Sequence, residues 1–351
     1  MSKYWNELTK KIEPYVAGEQ PKDKKYIKLN TNENPYPPSP KVLKAISDAN
    51  NSDLRLYPDP DCDKLRETVA NYYDLNKNQV FVGNGSDEVL AFSFLTFFSS
   101  DKEIVYPDIS YSFYPVYAGL YGLKARLSAL KEDFSIDVED FLKENGGVVI
   151  PNPNAPTGKY LDIKAIKRIL EFNNENVVII DEAYVDFGGE SVVRLIKDYP
   201  NLLVIQTLSK SRALAGMRIG LALGREELID GLNRIKNSFN SYTSDRIAQV
   251  AAVAAFEDEE YFKICSNKII KTREKVTKRL TEIGFKVIPS KANFIFASHS
   301  KMLAKDIFIK LREKGVLVRY FNKPKIDNYL RISIGSKEEM DTFLEKVEEI
   351  I

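Results

Sequence analysis

Three short stretches carry residues whose types and spacing could do chemistry. In TLSKSRALAGMRIG, residues 207 to 220, Lys210 stands between the hydroxyls of Thr207 and Ser209 and the guanidinium groups of Arg212 and Arg218, directly after the apolar run LLVIQ. A lysine at the end of a buried strand and among other cations loses proton affinity, because desolvation and like charge both disfavour the ammonium form. Such an amine is a nucleophile for a carbonyl. In VVIIDEAY, Asp181 closes a second apolar run with Tyr184 one turn on, and a carboxylate at that depth needs a cationic partner to stay ionised. In GNGSDEVL, Gly83, Gly85, Ser86 and Asp87 lie between a strand pattern and a helix pattern, where free backbone N–H groups can hold a phosphate.

Each stretch alone has an ordinary reading as a buried charge, an ion pair or a helix cap. Together they supply a lysine that can join a carbonyl, a phosphate cradle, an aspartate for a ring nitrogen and a tyrosine for a phenolate oxygen. Those are the parts of a pyridoxal phosphate site.

The elements that must position these residues alternate along the chain. QVFVGNG, EIVYP, KARLSAL, GVVIPNP, VVIIDEAY and LLVIQTLSK read as strands. SDEVLAFSFLTFF, YSFYPVYAGLYG, LDIKAIKRILEFNN and SVVRLIKDY read as the helices between them, and DCDKLRETVANYYDL as a capped helix before them. Short Val/Ile runs between helices indicate a mainly parallel sheet covered on both faces, with functional residues at the carboxyl ends of its strands. After about residue 225 long helices follow, then a strand, helix, strand, strand, helix tail in which VLVRYF is one strand. The expected organisation is an N-terminal amphipathic helix and arm over 1–30, with Trp5, Leu8 and Ile12 on one face, a large cofactor domain over 31–238, and linking helices with a small α+β domain over 239–351.

Composition narrows the class. The 51 basic and 50 acidic residues nearly cancel, which argues against a nucleic-acid or anionic-lipid footprint and for a small-molecule partner. Cys62 and Cys265 match no metal-ligand spacing, and the single histidine, His299, excludes a multi-histidine metal centre, so no metal is expected. No run approaches the roughly 18 apolar residues of a membrane span, and MSKYWNELTKKIEPY lacks the core of a signal peptide. The expected location is the cytoplasm.

The motifs resemble those of the fold-type I pyridoxal phosphate enzymes of the class II aminotransferase group, from EPY near the N-terminus to LRISIGS. The resemblance implies an α/β fold, with a mainly parallel seven-stranded sheet in the large domain and a small α+β C-terminal domain. It assigns Lys210 as the lysine that anchors the cofactor, Arg218 as a ligand of its phosphate, Asp181 to the pyridine nitrogen and Tyr184 to the ring oxygen. Thr207, Ser209, Gly85, Ser86 and Asp87 join the phosphate site, and Tyr111, in ISYSFY, stacks on the ring. Tyr57, in YPDP, reaches the cofactor phosphate of a neighbouring subunit, which implies a homodimer with shared sites.

Where many relatives carry an asparagine before P-T-G, this chain has Ala155, and Asn154 is expected to take over its role at the ring oxygen. Arg212 is expected to add charge beside the phosphate. Tyr15, Arg319 and Arg331 match the positions that hold the anionic end of the substrate, and Asn32 is a further pocket candidate. The activity implied is transamination of L-histidinol phosphate with 2-oxoglutarate, giving imidazole acetol phosphate and L-glutamate. Alternatives on the same scaffold are an aminotransferase for aromatic or other amino acids, a phospho-amino-acid decarboxylase or a non-catalytic pyridoxal phosphate binder.

Overall fold

A computed structural model describes residues 2–16 and 18–351. The apolar runs form a seven-stranded sheet in the spatial order Val80–Asn84, Ile219–Gly224, Leu202–Thr207, Val178–Asp181, Val148–Pro151, Ile104–Pro107, Ala125–Ser128. Only Ile219–Gly224 runs antiparallel to its neighbours. All residues of Val178–Asp181, Leu202–Thr207 and Ile219–Gly224 are buried, because helices cover both faces. Alternate side chains feed the two cores: Val178 and Ile180 pack on one face, Ile179 on the other.

One consequence of this topology places the chemistry. Since Ile219–Gly224 enters the sheet at the edge where its neighbours end, Arg218 arrives beside the ends of both. Gly220 is the register partner of Gly83 on one side and Thr207 on the other. The phosphate-cradle and lysine motifs are therefore adjacent strand ends.

The small domain is a four-stranded antiparallel sheet, Arg319–Tyr320, Leu330–Ser333, Phe294–His299, Phe285–Ile288, backed by the long helix Glu259–Glu282 and by Ala304–Glu313 and Lys337–Glu348. The N-terminal arm joins it, as Ile27–Lys28 pairs in parallel with Val316–Leu317.

Several local expectations change. VLVRYF is two strands in two sheets, Val316–Leu317 and Arg319–Tyr320. SVVRLIKDY closes only a 3₁₀ turn, Val193–Lys197. The helix Asp63–Tyr73 is capped from upstream: Cys62 makes no side-chain cap, and Asp59 accepts from the backbone N–H groups of Asp61 and Asp63 at 3.0 and 2.7 Å. The N-terminal helix shrinks to Glu7–Lys11, and neither Trp5 nor Leu8 is buried within the chain. Among the described residues no helix is long and apolar enough to cross a membrane.

Candidate active site

The strand ends open into a cavity of about 810 Å³ between the two domains. Its floor is a backbone cradle. The helix Gly85–Phe97 begins without a side-chain cap at Asn84, which leaves its first-turn N–H groups available to a ligand. Gly85 has φ +81, and a Cβ there would meet the Arg218 Nη2 at 2.4 Å. A Cβ on Gly220 would lie 2.3 Å from the Ser86 nitrogen, so two glycines let three chain segments meet. Around this cradle, Thr207 Oγ1 donates to Ser209 Oγ at 3.0 Å, and Arg218 Nη1 reaches Ser209 Oγ at 3.5 Å.

Asp87 plays a different part from the one its motif suggests. Its carboxylate accepts from Tyr111 Oη at 2.7 Å and Arg218 Nη2 at 3.2 Å, so it positions that tyrosine and the arginine. Only its backbone is free to serve a phosphate. Helix N–H groups, the hydroxyls of Ser86, Thr207 and Ser209 and a guanidinium suit a phosphate ester, and the buried carboxylate Asp181 suits a protonated ring nitrogen. The donor set therefore fits pyridoxal phosphate.

Asp181 is 5% exposed and has no cationic partner among the described residues. Burial raises its pKa to about 6, against the hydrogen bonds from Tyr114 Oη and the Ala183 N–H, at 2.7 and 3.2 Å. Tyr114 is a participant that sequence reasoning missed. It opens the helix Tyr114–Leu120 three residues after Tyr111, and its place beside a recognised aromatic was the signal that could have found it. Tyr184 packs edge-on to Phe294, with ring centroids 5.0 Å apart. Asn32 Nδ2 donates to Tyr184 Oη at 3.0 Å, which occupies the oxygen as acceptor and leaves the hydroxyl proton free to donate. Asn32 thus lines the cavity, but its amide serves Tyr184.

Lys210 Nζ donates to the Thr31 carbonyl at 3.2 Å. Asn34 Nδ2 fixes the backbone behind it through the Lys210 and Ser211 carbonyls, at 2.9 and 3.1 Å. Burial first, then the Arg331 guanidinium, lowers the Lys210 pKa to about 8, while the Glu33 and Asp87 carboxylates oppose that shift. The expected role of Arg212 is corrected here. Its guanidinium turns away from the phosphate cradle into an aromatic cage, 4.0 Å from the Phe256 ring centroid, 4.3 Å from Phe262 and 5.2 Å from Tyr72, and donates to the Ala255 carbonyl at 2.6 Å. A planar cation is well held on ring faces, so Arg212 anchors the loop from behind. The second cation acting on Lys210 comes from the small domain.

The outer wall carries that cation and its twin. Arg319 and Arg331 are direct cross-strand partners in the small sheet. Like charges directly opposite are destabilising. Neither guanidinium meets a carboxylate among the described residues, and the Arg331 Nε is buried without an acceptor, although Nη2 donates to the Asn30 carbonyl at 2.7 Å. Both lie against the Phe321 ring, 5.7 and 5.8 Å from its centroid. Tyr15 reaches the cavity from the N-terminal arm, stacked on Phe113 at 4.2 Å. A pair of opposed arginines in a cavity wall, with no carboxylate to pair them among the described residues, is a site for an anion.

Three expected residues do not line the cavity of this chain: Gly85, which lies beneath the cradle as the glycine that lets Arg218 approach, Asn154 and Tyr57. Asn154 is buried with its amide donated to the Ile109 carbonyl at 3.0 Å and Thr157 Oγ1 at 3.1 Å, and Ala155 lines the cavity in its place. The turn holds the Asn154 amide nitrogen through its own polar neighbours and leaves Oδ1 buried without a partner, so the side chain does not line the cavity. Tyr57 is 78% exposed and stacks on Tyr242 at 4.6 Å, outside the cavity.

A family model described as aminotransferase class I and II matches residues 24–347. The chain is 69% identical over 351 residues to the histidinol-phosphate aminotransferase of Clostridium botulinum (strain Kyoto / Type A2), covering 100% of this chain and 99% of that protein. The crystal structure of the histidinol-phosphate aminotransferase from Clostridium acetobutylicum matches with a TM-score of 0.85 and 26% identity, over 92% of this chain and 98% of that one. The corresponding Sinorhizobium meliloti enzyme, in complex with pyridoxal-5'-phosphate, shares the fold with a TM-score of 0.88 at 23% identity, over 100% and 99% of the two chains.

Proposed function

This chain belongs to the class I and II aminotransferase family, and from that membership we propose that it transfers the amino group of L-histidinol phosphate to 2-oxoglutarate, giving imidazole acetol phosphate and L-glutamate. The observation that carries the substrate is the opposed pair Arg319 and Arg331, unpaired with any carboxylate among the described residues, facing the cavity that holds Lys210 and Asp181. A guanidinium fork can take the phosphate of one substrate and a carboxylate of the other.

Pyridoxal phosphate, the cofactor of the reaction, supplies when bound an electrophilic carbon for the amine and a protonated ring that accepts the electrons of the broken C–H bond. The chain's own groups hold it and move the protons. The first-turn N–H groups of Gly85 to Asp87, the hydroxyls of Ser86, Thr207 and Ser209, and Arg218 take the phosphate. Tyr111 covers the ring, Asp181 keeps a proton on its nitrogen, and Tyr184 Oη donates to its oxygen. Lys210 Nζ would take the proton leaving the substrate carbon and hand it to the former aldehyde carbon of the cofactor, the transfer that leaves the nitrogen on the cofactor before water releases the keto product. Tyr15, Arg319 and Arg331 orient the substrate through its anion.

The test is a spectral titration of the purified holoenzyme. L-histidinol phosphate alone should convert the cofactor to its amine form, and 2-oxoglutarate should restore it. Dephosphorylated histidinol should be weaker by about 100-fold or more, the scale expected on removing a charge-assisted bidentate interaction. Indifference to the phosphate would remove Arg319 and Arg331 from the substrate site.

The same reading makes the enzyme a cytoplasmic homodimer in which Tyr57 reaches the neighbouring subunit's cofactor phosphate. Its support is the exposure of Tyr57, stacked on the exposed Tyr242, with Leu54 and Leu56 exposed just before it in the chain. Sedimentation should give twice the mass of one chain, and Tyr57→Ala should weaken cofactor retention in that dimer. An active monomer would refute the shared site.

A further inference from the structure

The cavity rim carries one cation that neither the cofactor nor the arginine pair explains. Residues 321–326 form a short span pinned at both ends. Phe321 lies under the guanidinium groups of Arg319 and Arg331, and Ile326 is buried in an apolar cluster with Ile109 of the large domain. Lys325 Nζ bonds Asp108 Oδ2 at 2.8 Å, and Asp108 Oδ1 accepts from the Leu130 N–H at 2.9 Å, which ties the span across the domain boundary. Between these pins Lys323 is exposed on the cavity rim, in a turn closed by the Ile326 N–H on its carbonyl at 3.2 Å. Its amine has no carboxylate partner among the described residues. Among the described residues, of the carboxylates that line the cavity Asp108 is paired with Lys325, Glu33 with Lys28 and Asp87 with Arg218, and besides the buried Asp181 only Glu13 of the N-terminal arm lacks a cation.

Resting on the reading that the phosphorylated amine is a substrate, we propose that Lys323 is a specificity-determining residue that favours its phosphate over the carboxylate of the amino donor. The two anions differ in charge and reach. Near neutral pH a phosphate monoester carries about −1.5 to −2, and a carboxylate one negative charge. In histidinol phosphate the phosphorus also stands two bonds farther from the reacting carbon than the α-carboxylate carbon does in glutamate. Where the phosphate takes the place of glutamate's α-carboxylate, Arg319 and Arg331 meet either anion, whereas a third cation at the rim adds most for the one with more charge and the longer arm. The pinned span keeps that amine at the cavity mouth, and its solvent exposure keeps the contribution modest and sensitive to salt.

The experiment follows the two half-reactions of the holoenzyme separately, one with L-histidinol phosphate alone and one with L-glutamate alone, for wild type, Lys323→Gln and Lys323→Arg. Lys323→Gln should raise the half-saturating concentration of histidinol phosphate by about fivefold, the scale of an exposed charge pair, and that of glutamate by less than about twofold. Lys323→Arg should restore the wild-type value. At about 1 M salt the difference between wild type and Lys323→Gln should largely vanish, because the screening length falls to about 3 Å. A purely structural role would move both substrates alike and persist in salt, and either result overturns the proposal. So does a Lys323→Gln enzyme that matches wild type with histidinol phosphate. If wild type reacts with glutamate but not with histidinol phosphate, the functional reading itself fails, and the proposal falls with it.

Discussion

Lys210→Ala is expected to cut turnover by about 10⁴-fold or more, since it removes both the anchoring amine and the proton-transfer group at one stroke. The folded chain should still bind pyridoxal phosphate through the cradle and Asp181, but without the visible absorption of the lysine-linked cofactor. A separate readout is the pH dependence of cofactor capture by apo protein. The folded-state pKa of Lys210 is lowered to about 8, so the neutral, nucleophilic amine dominates above that pH and the ammonium below it. Asp181, raised to about 6, is ionised above that value and can then pair with a pyridinium. Both signs point the same way: capture should accelerate from acid pH through 6 and again through 8, then level off. In Lys210→Ala the second rise should disappear. Retained turnover, or an unchanged pH profile, would exclude Lys210 as the anchoring residue.

Asp181→Asn should retain the fold and much of the cofactor while losing about 100-fold or more in rate. Asparagine nearly matches the shape of aspartate but cannot compensate a positive ring nitrogen, so the ring loses its ability to accept electrons. Tyr114→Phe provides a graded companion. The Tyr114 hydroxyl is held 2.7 Å from Asp181 Oδ2 and favours the ionised carboxylate. Hydrogen bonds to charged groups contribute about 1.5–3 kcal/mol, so its loss should raise the Asp181 pKa and slow turnover by about tenfold. The order wild type, Tyr114→Phe, Asp181→Asn in rate, with cofactor content nearly constant, is the expected pattern. A normal rate in Asp181→Asn would dismiss the electrostatic role of this carboxylate, and a normal rate in Tyr114→Phe would leave the Ala183 N–H as its sufficient partner.

The sheet, and the places of Lys210, Asp181 and Gly85 at its strand ends, were legible in the sequence because both are local. Uninterrupted runs such as VVIID and LLVIQT can be satisfied only by strands buried on both faces, and a residue at the end of such a run is fixed at the sheet edge. Lys210, Asp181 and Gly85 follow from that rule, since each lies within a few residues of a strand end. The misreadings were of another kind. The segment VLVRYF has one continuous pattern, but its two halves find different sheets. The Trp5 and Leu8 face is apolar without a core of this chain to bury it.

What the sequence determined by itself was therefore the cofactor chemistry, through motifs whose geometry is set within one strand and its following turn. Only the tertiary structure decided what surrounds each motif residue. Arg212, two residues from Lys210, is withdrawn into an aromatic cage, while burial and then Arg331, far along the chain, lower the lysine's pKa. Asn154 is tied away from the cavity, Asn32 reaches Tyr184, and Tyr114 reaches Asp181. The facing of Arg319 and Arg331, and with it the anion site, depends on strand register. Side-chain direction and electrostatic neighbourhood are properties of packing between distant segments, and no local spacing encodes them.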